Sequence, residues 1–145
     1  MISYKKGDLL KAEGILAHGV NCVGGFGSGV AGQIATQFPE AKKLYLYKHC
    51  MEGWKLGDIQ IAYVSSTKII VNAATQNKYF PRDVVNADYP AIRTVLEKLY
   101  ALSSTLNLPV HIPKIGCGLA GGDWHIVEDI INDVFKDKEI TVWTL

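Results

Sequence analysis

Two stretches concentrate the groups that could do chemistry. The first is His18-Gly-Val-Asn-Cys-Val-Gly-Gly-Phe-Gly-Ser-Gly-Val-Ala-Gly-Gln-Ile34, with four glycines between Gly24 and Gly29. The second is Ile115-Gly-Cys-Gly-Leu-Ala-Gly-Gly-Asp-Trp124. Each follows an apolar run and opens into a helix-like apolar spacing. In that order of strand, glycine loop and helix, backbone N–H groups and a helix N-terminus meet a phosphate. Two such loops suggest two walls around a ligand with more than one phosphate. Neither standard nucleotide motif is complete. Gly27-Ser-Gly-Val-Ala-Gly32 is a literal GxGxxG, but the next strand ends Val64-Ser65-Ser66 without the acidic residue that a dinucleotide fold places there. The Gly-Lys-Ser/Thr ending of a P-loop is also missing. A tight turn that needs glycine's backbone freedom explains the first loop equally well.

Several side chains have a chemical and a structural reading side by side. His18 and Asn21 stand near the end of the strand that feeds the first loop, where open α/β sheets bind ligands. His18 could act as acid or base near neutral pH, or be a satisfied structural histidine. Asn21 could bond a sugar hydroxyl or hold the loop. Asp8 could accept from an exocyclic amine or cap a turn. Asp123 sits where a helix N-cap belongs, and it could instead turn its carboxylate to the ligand. Thr75-Gln76-Asn77 reads as solvated loop, or as further ligand contacts. Cys22 and Cys117 lie in the two loops, and a nucleophilic thiolate there would have His18 as its only nearby base. His49, His111 and His125 show no metal spacing, so neither a metal nor another cofactor is expected.

The elements that must position these groups follow from hydrophobic spacing. Strands are expected at 2–5, 15–20, 59–64, 68–73, 110–115 and 140–145, with 59–64 and 68–73 forming a hairpin through Ser65-Ser66-Thr67. Helices are expected at 30–38, from Pro39 to about Cys50, at 89–102 and at 124–135. The stretch 75–86 reads as irregular. Interleaved strands and helices with one antiparallel pair give an α/β fold with a mixed sheet covered on both faces. The 145 residues, 48% hydrophobic, are about one domain (1–145) with a sizeable core. With 15 basic and 14 acidic residues the net charge is +1, so charge gives no case for a nucleic-acid or membrane partner. Three cysteines without a CxxC pair fit a reducing compartment. No apolar run approaches a membrane span and no signal-peptide pattern opens the chain, so a cytoplasmic protein is expected, and a monomer.

Lys6-Gly-Asp-Leu-Leu10, His18-Gly-Val-Asn-Cys22 before a glycine loop, and Ile115-Gly-Cys-Gly-Leu-Ala-Gly-Gly-Asp-Trp124 together resemble the macro domain family. The resemblance covers essentially the whole chain. It implies a three-layer α/β/α sandwich with a mixed six-stranded sheet, and a small-molecule partner, ADP-ribose or its 1″-phosphate. It implies that Asp8 and the backbone of Leu9 meet the adenine. Gly27, Ser28, Gly29, Val30 and Ala31 would line the distal ribose and diphosphate, with Asn21 near that ribose. Gly116, Cys117, Gly118, Leu119, Ala120, Gly121 and Gly122 would cradle the diphosphate. Trp143 is the expected aromatic beside the adenine. His18 matches a histidine of the branch that contains the fungal ADP-ribose 1″-phosphate phosphatases. That branch implies an enzyme, a phosphatase; His18 and Asp123 are the expected catalytic residues, one or the other positioning or deprotonating the attacking water. The alternatives are a hydrolase that removes ADP-ribose from modified protein or nucleic acid, and a non-catalytic reader of ADP-ribose. The terminal-ADP-ribose hydrolases use a lysine after the fourth strand and an aspartate in the second loop. Those places hold Gln76 and Ala120 here, with Lys78 and Asp123 nearby but out of register.

Overall fold

The computed structural model describes residues 1–81, 83–118 and 120–145. Among these residues six strands and four α-helices follow in order: β1 (Ile2–Lys6), β2 (Gly14–Asn21), α1 (Gly29–Gln37), α2 (Pro39–Met51), β3 (Ile59–Ser65), β4 (Lys68–Gln76), α3 (Tyr89–Leu106), β5 (Val110–Ile112), α4 (Trp124–Val134) and β6 (Ile140–Thr144). They form one sheet of order β1-β6-β5-β2-β4-β3. Among the described strands only the β3–β4 hairpin is antiparallel, and every other strand-to-strand pairing is parallel. This is the mixed sheet that the strand and helix spacing predicts.

β2 is apolar at successive positions because both of its faces are covered. Ile15 and Ala17 pack with Ile92, Val95, Leu96 and Leu99 of α3 and with Val127, Ile130 and Ile131 of α4. Leu16 and Val20 face the other way, onto Ile34 of α1 and Ala41 and Tyr45 of α2. Helices therefore sit on both sides of the sheet. α3 begins sharply because the Asp88 side chain accepts from Ala91 N at 2.9 Å and Pro90 occupies the first turn. Among the described residues no helix is long and apolar enough to cross a membrane.

Four local expectations are corrected. The strand expected at 110–115 ends at Ile112, because Pro113 has no N–H to extend the ladder and Ile115 N turns back to Pro113 O. β4 runs on to Gln76, so Thr75 is a buried strand residue and not part of an irregular stretch. α3 continues to Leu106, beyond the expected Leu102. In α1, only Ile34 of the apolar residues is buried; Val30 and Ala31 are half-buried, packed in part against the same cluster, and line a cleft.

Candidate ligand-binding site

The strand order explains why the two glycine loops meet. β5 pairs with β2 in parallel, Ile15 opposite Val110 and Leu16 opposite His111, so their C-terminal ends lie side by side. The first loop leaves β2 and the second leaves β5. β4 flanks β2 on its other side and adds Thr75 and Gln76. Between these strand ends is a cleft of about 650 Å³, a volume usual for a small-molecule site. Its walls are His18–Asn21, Gly25–Ala31, Thr75, Gln76, Tyr79, Pro113–Gly116, Gly118 and Ala120. Lys114 is the one Lys or Arg side chain among the described lining residues, and no carboxylate is among them.

The first loop is held from behind by side chains. Asn21 Oδ1 accepts from Val23 N at 3.0 Å, from Gly25 N at 3.1 Å and from the Tyr45 hydroxyl at 2.9 Å, while Asn21 Nδ2 donates to Gly25 O. Tyr45 OH also accepts from Gly24 N. Asn21 thus holds the loop. The front of the loop is left open. The first bond of α1 runs from Gly32 N to Ser28 O, so the N–H groups of Gly29, Val30 and Ala31 have no partner inside the helix. Ser28, the N-cap residue, makes no side-chain cap bond. These three residues line the cleft, and their amides stand at the positive end of the helix dipole.

The second loop is held by its own backbone. Cys117 N bonds to Lys114 O, Gly121 N to Gly118 O and Gly122 N to Gly116 O. Ala120 O accepts from Asn86 N and Ala87 N, which ties the loop to the segment before α3. A Cβ at residue 122 would stand 2.4 Å from Gly116 O, so only glycine allows this closure. The amides of Gly116, Gly118 and Ala120 donate to nothing among the described residues, and all three residues line the cleft. Asp123 caps α4, its Oδ1 accepting from His125 N at 2.9 Å.

His18 lies at the cleft floor, buried on β2 beneath the Phe26 ring at a centroid distance of 5.3 Å. A relay fixes its tautomer. Gln60 Nε2 donates to Leu44 O, so Gln60 Oε1 accepts from Asn72 Nδ2, which also donates to Ala41 O. Asn72 Oδ1 is then an acceptor, and His18 Nε2, 2.6 Å away, must donate to it. Burial pushes the His18 imidazole down to about 4, a fall that the Asn72 bond offsets only in part. Near pH 7 it is neutral, with a bare lone pair on Nδ1. That atom and Thr75 Oγ1 are buried with no hydrogen-bond partner among the described residues.

The expected residues are distributed as follows. His18, Asn21, Gly27, Ser28, Gly29, Val30, Ala31, Gly116, Gly118 and Ala120 come together around the cleft. Cys117, Gly121, Gly122 and Asp123 shape the second loop behind it. Leu119 lies outside the described residues. Asp8 caps the turn Leu9–Lys11 by accepting from Leu10 N at 3.0 Å, and neither Asp8 nor Leu9 is among the lining residues. Trp143 donates to His111 Nδ1 and lies over Gly7, away from the lining set. Both loop thiols are disfavoured as nucleophiles: burial raises Cys22, with Asp58 adding to it, and burial pushes Cys117 up to about 11. Phe26, Tyr79 and Lys114 were not singled out from the sequence, since nothing local distinguishes them. Tyr79 is placed by a bare backbone opposite: a Cβ at Gly25 would stand 2.6 Å from its ring.

The comparisons with known proteins agree with this architecture. Residues 17–131 match the family model described as Macro domain. An ADP-ribose 1″-phosphate phosphatase of Meyerozyma guilliermondii is 47% identical over 162 aligned positions, covering 90% of this chain and 91% of that protein. A DNA ADP-ribosyl glycohydrolase of Mycobacterium tuberculosis is 32% identical over 94% of this chain, which spans only 39% of that longer protein. The solved macrodomain of Mycobacterium tuberculosis DarG superposes with a TM-score of 0.85 at 27% identity, covering 100% of this chain and 98% of that one. With the family model spanning most of the sequence, the chain belongs to the macro domain family.

Proposed function

We propose that this macro domain binds ADP-ribose and hydrolyses ADP-ribose 1″-phosphate to ADP-ribose and inorganic phosphate. The observation that supports this most directly is the pairing of two sets of unpartnered amides, at the α1 N-terminus and in the second loop, around a cleft whose described lining has no carboxylate. Backbone N–H groups fixed in place stabilise phosphoryl oxygens without reorganising, in the ground state and as charge shifts during transfer. Lys114 is among the lining residues and holds its ammonium 5.7 Å from the centre of the Trp124 ring, at the start of α4, where it adds a positive charge beside the cleft. The high identity to a phosphatase over most of both chains supports the same reading.

In this reading water attacks phosphorus, the bond from phosphorus to the 1″-oxygen breaks, and the sugar oxygen leaves with a proton supplied by solvent. His18 orients the attacking water through Nδ1, the lone pair left unused by the Asn72 bond, once ligand binding uncovers an atom that is buried in the free protein. Its depressed basicity suits it to orienting the water, and it has no proton at Nδ1 to give the leaving oxygen near neutral pH. Asp123 acts by capping α4 and so fixing the second loop. The proposal extends to a cytoplasmic, monomeric protein in which residues 1–145 form a single domain.

Phosphorus NMR of ADP-ribose 1″-phosphate with a catalytic amount of protein tests the proposal. The expected result is loss of the monoester signal to inorganic phosphate with the diphosphate pair intact. An unchanged spectrum with ligand lines that broaden on adding protein would overturn the phosphatase and leave a reader or a hydrolase of larger targets. The second of these has its own support in the glycohydrolase relative. Against it, Gln76 and Ala120 occupy the cleft wall at the two places where the resemblance puts the lysine and aspartate of that chemistry. Lys78 instead holds its ammonium 6.0 Å from the centre of the Phe80 ring. Release of labelled ADP-ribose from modified DNA or protein would establish that activity.

A further inference from the structure

The buried hydroxyl of Thr75 has no use in the fold. The residue is 1% exposed and its Oγ1 has no hydrogen-bond partner among the described residues, yet Thr75 lines the cleft. Its carbonyl is engaged: Thr75 O accepts from Asp88 N at 2.8 Å, which anchors the cap of α3. Its side chain is given room by Gly19 on the neighbouring strand. A Cβ at residue 19 would stand 2.4 Å from Thr75 Oγ1 and 3.8 Å from Ile115 Cγ2. This places the hydroxyl on the α3 and α4 side of the sheet, beside the residue from which the second loop departs. His18 is on the opposite face, under Phe26, so the two orphaned atoms serve different parts of the cleft. A buried hydroxyl without a partner is a net loss to the free protein, and a valine would fill the same space without it.

We propose that Thr75 Oγ1 is a ligand-binding donor, hydrogen-bonding to an anionic oxygen of the diphosphate beneath the second loop once the ligand parts the groups that cover the hydroxyl in the free protein. It joins the free amides of Gly116, Gly118 and Ala120 in one cradle of donors. The proposal rests on the reading of the cleft as a diphosphate site. It makes Thr75 a specificity residue: it favours ligands whose phosphate reaches the cleft floor and is indifferent to the nucleoside alone.

The test uses Thr75→Val, which removes the hydroxyl and keeps the shape, and Thr75→Ser, which keeps the hydroxyl. Calorimetry is run with ADP-ribose, adenosine and inorganic pyrophosphate. Thr75→Val is expected to weaken ADP-ribose and pyrophosphate about tenfold, with Thr75→Ser restoring affinity to within about threefold and adenosine unaffected. In the ligand-free protein the same Thr75→Val change is expected to raise the melting temperature by about 3 °C, since it removes an unpaired buried hydroxyl. Equal affinity of Thr75→Val and wild type for both phosphate ligands overturns the proposal while the reading of the site stands. Wild-type binding of pyrophosphate but not ADP-ribose, with Thr75→Val weaker, keeps the proposal and overturns the functional reading. No binding of either phosphate ligand overturns both.

Discussion

The two glycine loops reach the same cleft by different means. The first is supported by side chains from outside: Asn21 at its base and Tyr45 from α2 take up its inner N–H groups. The second closes on itself through three backbone bonds and the carbonyl of Ala120. The helices that follow differ in the same way. α4 is capped by Asp123, whereas α1 begins at Ser28 with no side-chain cap. Both sequences read as glycine loop then helix, but only α1 offers its first amides to an anion. The second loop contributes amides of the loop itself. The difference teaches that an N-terminus is available to a ligand only where the protein has not already satisfied it.

Substitutions at the supports should separate the loops. The largest effect is expected for Asn21→Ala, which strands Val23 N, Gly25 N and Gly25 O at once. It should destabilise the fold by about 3 kcal/mol in urea titration and weaken ADP-ribose by about 100-fold or more. Retained affinity would mean the first loop keeps its shape without its base.

Next is the pH dependence of stability. The folded His18 has its pKa lowered from 6.5 to about 4, so the unfolded chain binds more protons between those values. Its contribution is fully present above pH 6.5 and is lost as pH falls towards 4, by roughly 3 kcal/mol in all. In His18→Gln this part of the slope should vanish from chemical denaturation series at pH 7, 6, 5 and 4. An identical slope in the variant would place the titration elsewhere.

Asp123→Ala removes a cap and should lower stability by about 1 kcal/mol, with ADP-ribose affinity unchanged because the carboxylate lies outside the cleft lining. A loss of turnover as large as that of His18→Ala would instead give Asp123 a place in the chemistry and blur the contrast between the loops. The smallest effect is expected for Lys114→Gln. Its exposed ammonium should be worth about a fivefold loss in ADP-ribose affinity at low ionic strength, shrinking as salt is added. A loss that is independent of salt would argue that Lys114 shapes the second loop instead of supplying charge.

Much of the site was legible along the chain. The buried runs at Ile15 and Val110, the glycines after each, and the Asp123 cap are local patterns, and each sits in the structure where its spacing puts it. Strand ends were less legible. Pro113 cut one strand short by a rule of chemistry, while Thr75 and Gln76 were drawn into β4 by pairing with β2 and by the bridge between Gln76 and Ala87. Polar residues at a strand end look solvated until a neighbouring strand and loop cover them.

The sequence by itself determined the elements, the two loops and the family, because hydrophobic period, glycine and capping residues act over a few positions. Tertiary structure alone decided what the functional groups can do. The tautomer of His18 is set by Asn72, 54 residues away, through a relay that ends on carbonyls of α2. The room for the Thr75 hydroxyl comes from Gly19 on another strand. Protonation and hydrogen-bond vacancy depend on which groups surround an atom in three dimensions, and strand pairing assembles those groups from distant parts of the chain.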